Sequence, residues 1–343
     1  MRLPSEIDQV LKHECGACHC PMTQRVTSTL GFTADDLRTY LGTYWPRSFV
    51  ESHEIMSSLL NNSVFRDALQ RRDQIRILDI GAGTGGNLAG LLWAMKEACL
   101  NTGRVVDVVS VDGNAGALAI QKQLIARLFG PQVQLRVVQT VFDSRAGLER
   151  LLPGQAGANG GGFDVIISSK FVNEFYRTKA AYERNSGMYA ALLGLAERRL
   201  LPEGVAILVD VNDKCAGGFF SEVLNREMNE YTGASPEGLA PILPLPCLLW
   251  HGCCASRNSC FSQAVFGVSH SMLPCYSGSD LCKVTVRVMA RRPFAKFFRL
   301  GVNPQPRYTI TWSPWGYDSC GGGVRRQYDK RRYTNGYLLE SAV

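Results

Sequence analysis

Short apolar runs alternate with stretches of helical spacing through the middle of the chain. Ile75, Ile77 and Leu78 lead into Asp79, and this run predicts a first strand. Further strands are predicted over Val105 to Val111, Leu135 to Val141, Phe163 to Ser169 and, in GVAILVDV, 204–211. Between them, helices are predicted from about Gly86 to Ala98, across Leu118, Leu124, Ile125 and Leu128, from Lys179 to Arg198, and from Gly218 to Tyr231. The strands are almost continuously apolar, as expected of a parallel sheet covered on both faces by intervening helices, so the fold class is α/β. Val284 to Met289 predicts a late strand, with Ser262 to Val268 as an antiparallel partner. Ahead of the first strand, Gly31 to Leu69 is mainly helical by pattern. Thr33 is a cap followed by Asp35 and Asp36, and Ile55, Leu59 and Leu60 fall at helical spacing. This prelude either helps to close a substrate cleft, with Tyr44, Arg47 and His53 as candidates, or simply adds a packing layer.

Five regions follow: a cysteine-containing segment 1–30, a helical cap 31–72, an α/β core 73–240, a cysteine-rich insertion with terminal strands 241–300, and an aromatic and basic extension 301–343. At 343 residues the chain can bury a full core, and 45% hydrophobic with 20% charged residues is a globular composition. The formal charge of +7 permits an acidic partner such as RNA without requiring one. No continuous apolar run is long enough to span a bilayer, and the first residues lack the apolar stretch of a secretory signal. A cytoplasmic or organellar protein, not secreted and not integral to a membrane, is the expectation.

The first strand runs into a glycine-rich turn, IRILDIGAGTGGN, and a helix follows. Strand, glycine turn and helix bring backbone N–H groups close to a ligand at the carboxyl end of a strand. The second strand closes on Asp112, whose carboxylate can accept hydrogen bonds from two ribose hydroxyls. IRILDIGAGTGGN together with Val109-Ser110-Val111-Asp112 resembles the S-adenosylmethionine site of class I methyltransferases; a generic α/β nucleotide site is the alternative. The resemblance implies a Rossmann-like class I methyltransferase sheet. It also implies cofactor-binding roles for Asp79, Gly81, Gly83, Gly85, Asn87 and Asp112, with Phe142, Asp143 and Ser168 as further candidates.

Open α/β sheets place chemistry at the carboxyl ends of strands. Lys170, Asn173, Glu174 and Tyr176 after the fourth strand, and Asp210 at the end of the fifth, are therefore catalytic candidates. Glu174 or Asp210 could take a proton from an acceptor; helix capping is the ordinary alternative for Asn173 and Glu174. Neither an aromatic–proline signature nor a proline–cysteine pair follows the fourth strand, which weakens any specific assignment to base methylation.

Twelve cysteines without a secretion signal point to metal binding before a disulfide framework, with buried thiols as the bland alternative. Cys247, Cys253, Cys254, Cys260, Cys275 and Cys282 are candidate ligands for zinc or an iron–sulfur cluster, and Cys15, Cys18 and Cys20 in HECGACHC are weaker ones. Pro246-Cys247, Cys253 and Cys260-Phe261, with the helical prelude and SSKFVNEF, distantly resemble ribosome-associated methyltransferase-like proteins of small-subunit assembly. That likeness implies RNA or a ribosomal particle as partner. Cys254 is extra to the pattern, and the histidine expected after the first proline–cysteine pair is absent. Arg325, Arg326, Lys330, Arg331 and Arg332, interleaved with tyrosines, suit phosphates and unpaired bases. Three readings stay open: a methyltransferase acting on RNA or a ribonucleoprotein, one acting on a small molecule, and a catalytically inactive assembly or binding protein.

Overall fold

The computed structural model describes residues 1–20, 30–100, 102–142, 144–150, 161–211, 214–215, 218–235, 237–242, 263–274, 278–298 and the short strands 317–319 and 325–327. Five strands, β1 (Gln74–Ile80), β2 (Val105–Asp112), β3 (Val133–Gln139), β4 (Phe163–Ser169) and β5 (Leu200–Val211), pair in parallel in the order β3-β2-β1-β4-β5. After a small ribbon, β6 (Lys214–Cys215) with β7 (Gly218–Phe219), the chain supplies β8 (Leu239–Pro241), β9 (Gln263–Val268) and β10 (Asp280–Arg291). β10 runs antiparallel to β5, from Val284 opposite Val211 to Ala290 opposite Val205. Its other edge takes β9 at its beginning and β8 at its end. β11 (Tyr317–Ser319) and β12 (Arg325–Gln327) form a separate two-stranded ribbon. The mixed α/β architecture agrees with the expected α/β class.

The first helix, α1 (Ser5–Gln9), continues as a π-helical turn over Val10–Glu14. The prelude forms α2 (Ala34–Thr43), α3 (Trp45–Leu60) and α4 (Ser63–Gln70). Thr33 caps α2 reciprocally with Asp36: the threonine hydroxyl accepts from the Asp36 backbone N–H at 3.2 Å, and the aspartate accepts from the Thr33 N–H at 2.9 Å. Within the core come α5 (Gly86–Glu97), α6 (Ala115–Phe129), α7 (Arg145–Arg150), α8 (Lys179–Asn185), α9 (Met188–Arg199), α10 (Phe220–Ala234) and, after β10, α11 (Arg292–Ala295).

Alternate residues of each strand enter two separate apolar layers. Ile75, Ile77, Val106 and Val108 face α3, α4 and α5, while Leu78, Ile80, Val109 and Val111 face the α9 and α10 side. Both faces are covered, which is why the strands read as unbroken apolar runs. α3 lies hard against α5: a Cβ on Gly90 would meet the Phe49 carbonyl oxygen at 2.1 Å, so only glycine permits the approach.

Two expected elements shift. The third strand begins at Val133 and ends at Gln139, so that Thr140 and Val141 leave the sheet. The single helix expected over 179–198 is two, broken at Gly187 with φ +90°. Glu227 accepts from the backbone N–H groups of Gly187, Tyr189 and Ala190, capping the new helix start. Among the described residues, no helix is long and apolar enough to cross a membrane.

Candidate active site

A cleft of about 890 Å³, counted to its open mouth, lies at the carboxyl ends of β1, β2 and β4. Its floor is the glycine turn. Gly81, Gly83 and Gly85 all adopt positive φ, and a Cβ on Gly81 would stand 2.7 Å from the Cβ of Phe171. The turn is held to β2 because Gly81 and Ala82 donate backbone bonds to the Val111 carbonyl at 2.9 and 3.1 Å. From the cap, Trp45 Nε1 donates to the Thr84 carbonyl at 3.2 Å and Ser52 Oγ to Asn87 Oδ1 at 3.2 Å.

Asp112 stands on the wall beside this floor. One carboxylate oxygen accepts from Gly83 N and the other from Asn114 N, each at 2.8 Å. Burial pushes its carboxyl up, and the backbone bonds oppose that shift by favouring the ionised form. Asp79 is fully buried beneath the turn and does not line the cleft; one oxygen accepts from Gln121 Nε2 at 3.2 Å and the other has no hydrogen-bond partner. Desolvation raises its carboxyl to about 7.

Opposite the floor, the chain leaving β4 turns through Lys170 in the left-handed region, φ +52°. The Lys170 ammonium donates to Glu51 Oε1 of α3 at 2.7 Å, and Glu51 is fully buried. Phe171 then meets Phe142 and Phe175 edge to face at 5.4 and 5.1 Å between ring centroids. Phe32 and Tyr40 of the cap, 5.9 Å apart, extend the aromatic wall. Glu174 lines the same wall. Burial raises its carboxyl to about 7, with repulsion from Asp112 and Asp210 acting in the same direction and Arg177 against it.

The structure therefore divides the sequence candidates. Gly81, Gly83, Gly85, Asn87, Asp112, Phe142, Lys170 and Glu174 line the cleft. Asn173, Tyr176 and Asp210 sit behind it. Tyr176 is fully buried, donates to Glu227 Oε1 at 2.8 Å and accepts from the Met188 N–H, so its phenol joins α9 to α10. Asp210 accepts from Tyr189 Oη at 2.8 Å and from Val211 N at 2.7 Å; burial lifts its carboxyl to about 6 against those bonds. Ser168 is buried within the strand, and its neighbour Ser169 lines the cleft instead, its buried hydroxyl without a partner. Strand alternation sends successive residues to opposite faces, so one position decides this. Asp143 lies outside the described residues. Of the prelude candidates, none lines the cleft: Tyr44 packs on Tyr40, Arg47 pairs with Asp280 at 2.6 Å and His53 meets Glu97 at 2.7 Å. The cap aromatics that do line it, Phe32, Tyr40 and Trp45, belong to no motif.

The metal candidates separate similarly. Among the described residues no group of three or more His, Cys, Asp or Glu side chains is arranged to hold a metal ion. Cys18 and Cys20 are exposed, with Cys18 Sγ against the Thr39 hydroxyl, and burial raises the half-buried Cys15 thiol. Cys282 is buried in β10 with its thiol donating to the Phe266 carbonyl, and desolvation holds it well above the ordinary thiol range. Cys247, Cys253, Cys254, Cys260 and Cys275 lie outside the described residues, as do Lys330, Arg331 and Arg332.

No protein-family profile matches the chain. No curated protein matches it in sequence. Among solved structures, it resembles a proposed RNA methyltransferase from Pyrococcus horikoshii, with 10% identity, 84% of this chain and 99% of that one covered, and a TM-score of 0.41. A second likeness is to the plantazolicin methyltransferase in complex with S-adenosylhomocysteine, at 10% identity over 83% of this chain and 94% of that one, with a TM-score of 0.40. A third is to a proposed class I methyltransferase from Listeria monocytogenes, at 11% identity and a TM-score of 0.38, with 72% of this chain covering 60% of that one. All three are described as methyltransferases.

Proposed function

We propose that the chain binds S-adenosylmethionine against the glycine turn and Asp112 and transfers its methyl group to RNA or a ribonucleoprotein. The observation that carries the donor half is the placement of Asp112. Its carboxylate, oriented by two backbone N–H groups, flanks a floor of positive-φ glycines in one cleft with the unsatisfied Ser169 hydroxyl. These groups fit an adenosyl ligand: a carboxylate for ribose hydroxyls, bare backbone at the N-terminus of α5, and the apolar surfaces of Val141 and Phe142 for a flat base. Bound there, S-adenosylmethionine supplies a methyl group activated by a sulfonium.

The chain's own residues then account for acceptor handling. The Phe171 and Phe175 rings give a flat surface, and Glu174, when ionised, accepts the proton that an acceptor N–H or O–H releases. Asn173 is held by Asp210, which steadies the short turn that carries Glu174. The RNA assignment is supported by the +7 charge and by the basic, tyrosine-interleaved run near the C-terminus. A small-molecule acceptor is favoured by a different feature, the concave cleft lined by Tyr40, Phe171 and Phe175 around a few polar groups.

The test is titration of S-adenosylhomocysteine into the wild type, followed by transfer of labelled methyl to cellular RNA and to a small-molecule extract. Binding with salt-sensitive RNA labelling is expected. Absence of cofactor binding would remove the donor assignment, and label found only in small molecules would move the acceptor to the second reading.

A further inference from the structure

Among the described lining residues, three side chains carry charge: Asp112, Lys170 and Glu174. Lys170 is the sole cation of the three, and it is already engaged. Its ammonium lies 2.7 Å from Glu51 Oε1, a carboxylate with no exposed surface that also lies beside the Cys282 thiol, and Glu51's second oxygen has no hydrogen-bond partner. The pair is neutral overall. Among the described residues, Asp112 and Glu174 therefore set the charge that a ligand meets. Arg177 is the cation that acts on Glu174, and its guanidinium donates to the side-chain oxygen Oδ1 of Asn173 at 3.5 Å. The surrounding wall is aromatic, with Phe142, Phe171 and Phe175 in successive edge-to-face contact.

We propose that the acceptor half of the cleft selects a flat, uncharged or cationic group bearing an N–H donor and rejects anions, with Glu51 setting that selectivity by neutralising Lys170. The proposal rests on the donor assignment above. Aromatic faces favour flat groups and cations, and a lone carboxylate favours a group that can donate to it. Had Glu51 been uncharged, the same lysine would project an unpaired ammonium into the cleft and make it an anion site. Selectivity here comes from cancelling an attraction as much as from building one. For an RNA acceptor, a base enters the cleft while its phosphates stay outside.

The experiment uses the full chain saturated with S-adenosylhomocysteine, whose own titration is recorded first. Failure at that stage removes the donor assignment, whereas the following arms address only the charge preference. Benzylamine, benzamide and benzoate serve as cationic, neutral and anionic flat probes, with affinities read by ligand-observed NMR. Benzylamine and benzamide are expected to bind, and benzoate about tenfold more weakly or worse. In Glu51→Gln the ratio should move toward benzoate by about tenfold or more, with homocysteine-cofactor binding kept. Benzoate binding as tightly as benzylamine in the wild type overturns the proposal, as does an unchanged ratio in a folded Glu51→Gln protein. If that variant does not fold, Glu174→Gln decides: benzylamine affinity must fall while benzamide affinity holds, and equal affinities for benzylamine before and after overturn the idea.

Discussion

At the scale of single residues, the cleft depends on carboxyl groups whose surroundings set them apart. Asp112 makes charge-assisted bonds with two backbone donors and faces the cleft. Asp112→Asn keeps the shape but loses the charge and turns one of the two accepting oxygens into a donor, so cofactor affinity measured calorimetrically should weaken by about ten- to hundredfold, equivalent to about 1.5–3 kcal/mol. Glu174 must be ionised to take a proton. Since burial holds it at about 7, methyl transfer should rise with pH through that value and level off above it. Glu174→Gln should lower the transfer rate by about 10²–10⁴-fold and abolish that limb while cofactor binding persists, which separates a proton-handling role from a binding one. Asp79 behaves differently because it faces no ligand space. Its carboxyl is raised to about 7 by burial, so the folded state holds a proton where the unfolded chain, near 3.8, has lost it. The stabilisation is fully present below the unfolded value and is lost as pH rises through about 7. Urea midpoints should therefore fall between pH 4 and pH 8, and Asp79→Asn should flatten that slope.

At the scale of elements, the cap is fixed to the core through α3 and α5. Gly90→Ala would place a Cβ against the Phe49 carbonyl at 2.1 Å, and no flexible side-chain end is available to give way. Overpacking of this kind costs about 1–3 kcal/mol, which a shift in urea midpoint would register. Because Trp45 and Ser48 of α3 line the cleft, the same substitution should also weaken cofactor binding. The prelude was legible as helices from its spacing and from the Thr33–Asp36 cap. Which of its residues face the cleft was not legible, because α2 presents Leu37 and Tyr40 inward while Arg38 remains paired with Asp35 at the surface. Arg47 and His53, chosen for their chemistry, instead tie α3 to β10 and to α5.

At the scale of the whole molecule, the first residues are fastened to the stretch that follows β9. Leu3 N donates to the Ser269 carbonyl at 2.9 Å, and buried Asp8 accepts from both the backbone N–H and the hydroxyl of Ser271. Asp8→Ala leaves that backbone donor unsatisfied and should destabilise the chain by about 1–3 kcal/mol, seen as a lower urea midpoint at unchanged cofactor affinity. Nearby His270 is buried with both ring nitrogens unpartnered, and desolvation lowers it to about 4. Its folded value lies below its unfolded one, so stability is lost as pH falls from about 6.5 toward 4.

The alternation of the five parallel strands with helices, the glycine turn and the acid closing β2 were determined by local sequence, because strand length, backbone freedom and cap chemistry act between near neighbours. Phe163 to Ser169 coincides with β4, and the antiparallel partnership of β9 with β10 also follows from pattern. Tertiary structure decided which polar groups serve the cleft. Asp79, Asn173, Tyr176 and Asp210 stand beside the right strands, yet their carboxyl, amide and phenol groups are consumed by buried neighbours, while Ser169, Tyr40 and Phe175 reach the open space. The same holds for Lys170, whose charge is cancelled by Glu51 from a helix remote in sequence. Burial and pairing are properties of packed surfaces rather than of spacing, and so they are settled only when the cap closes over the sheet.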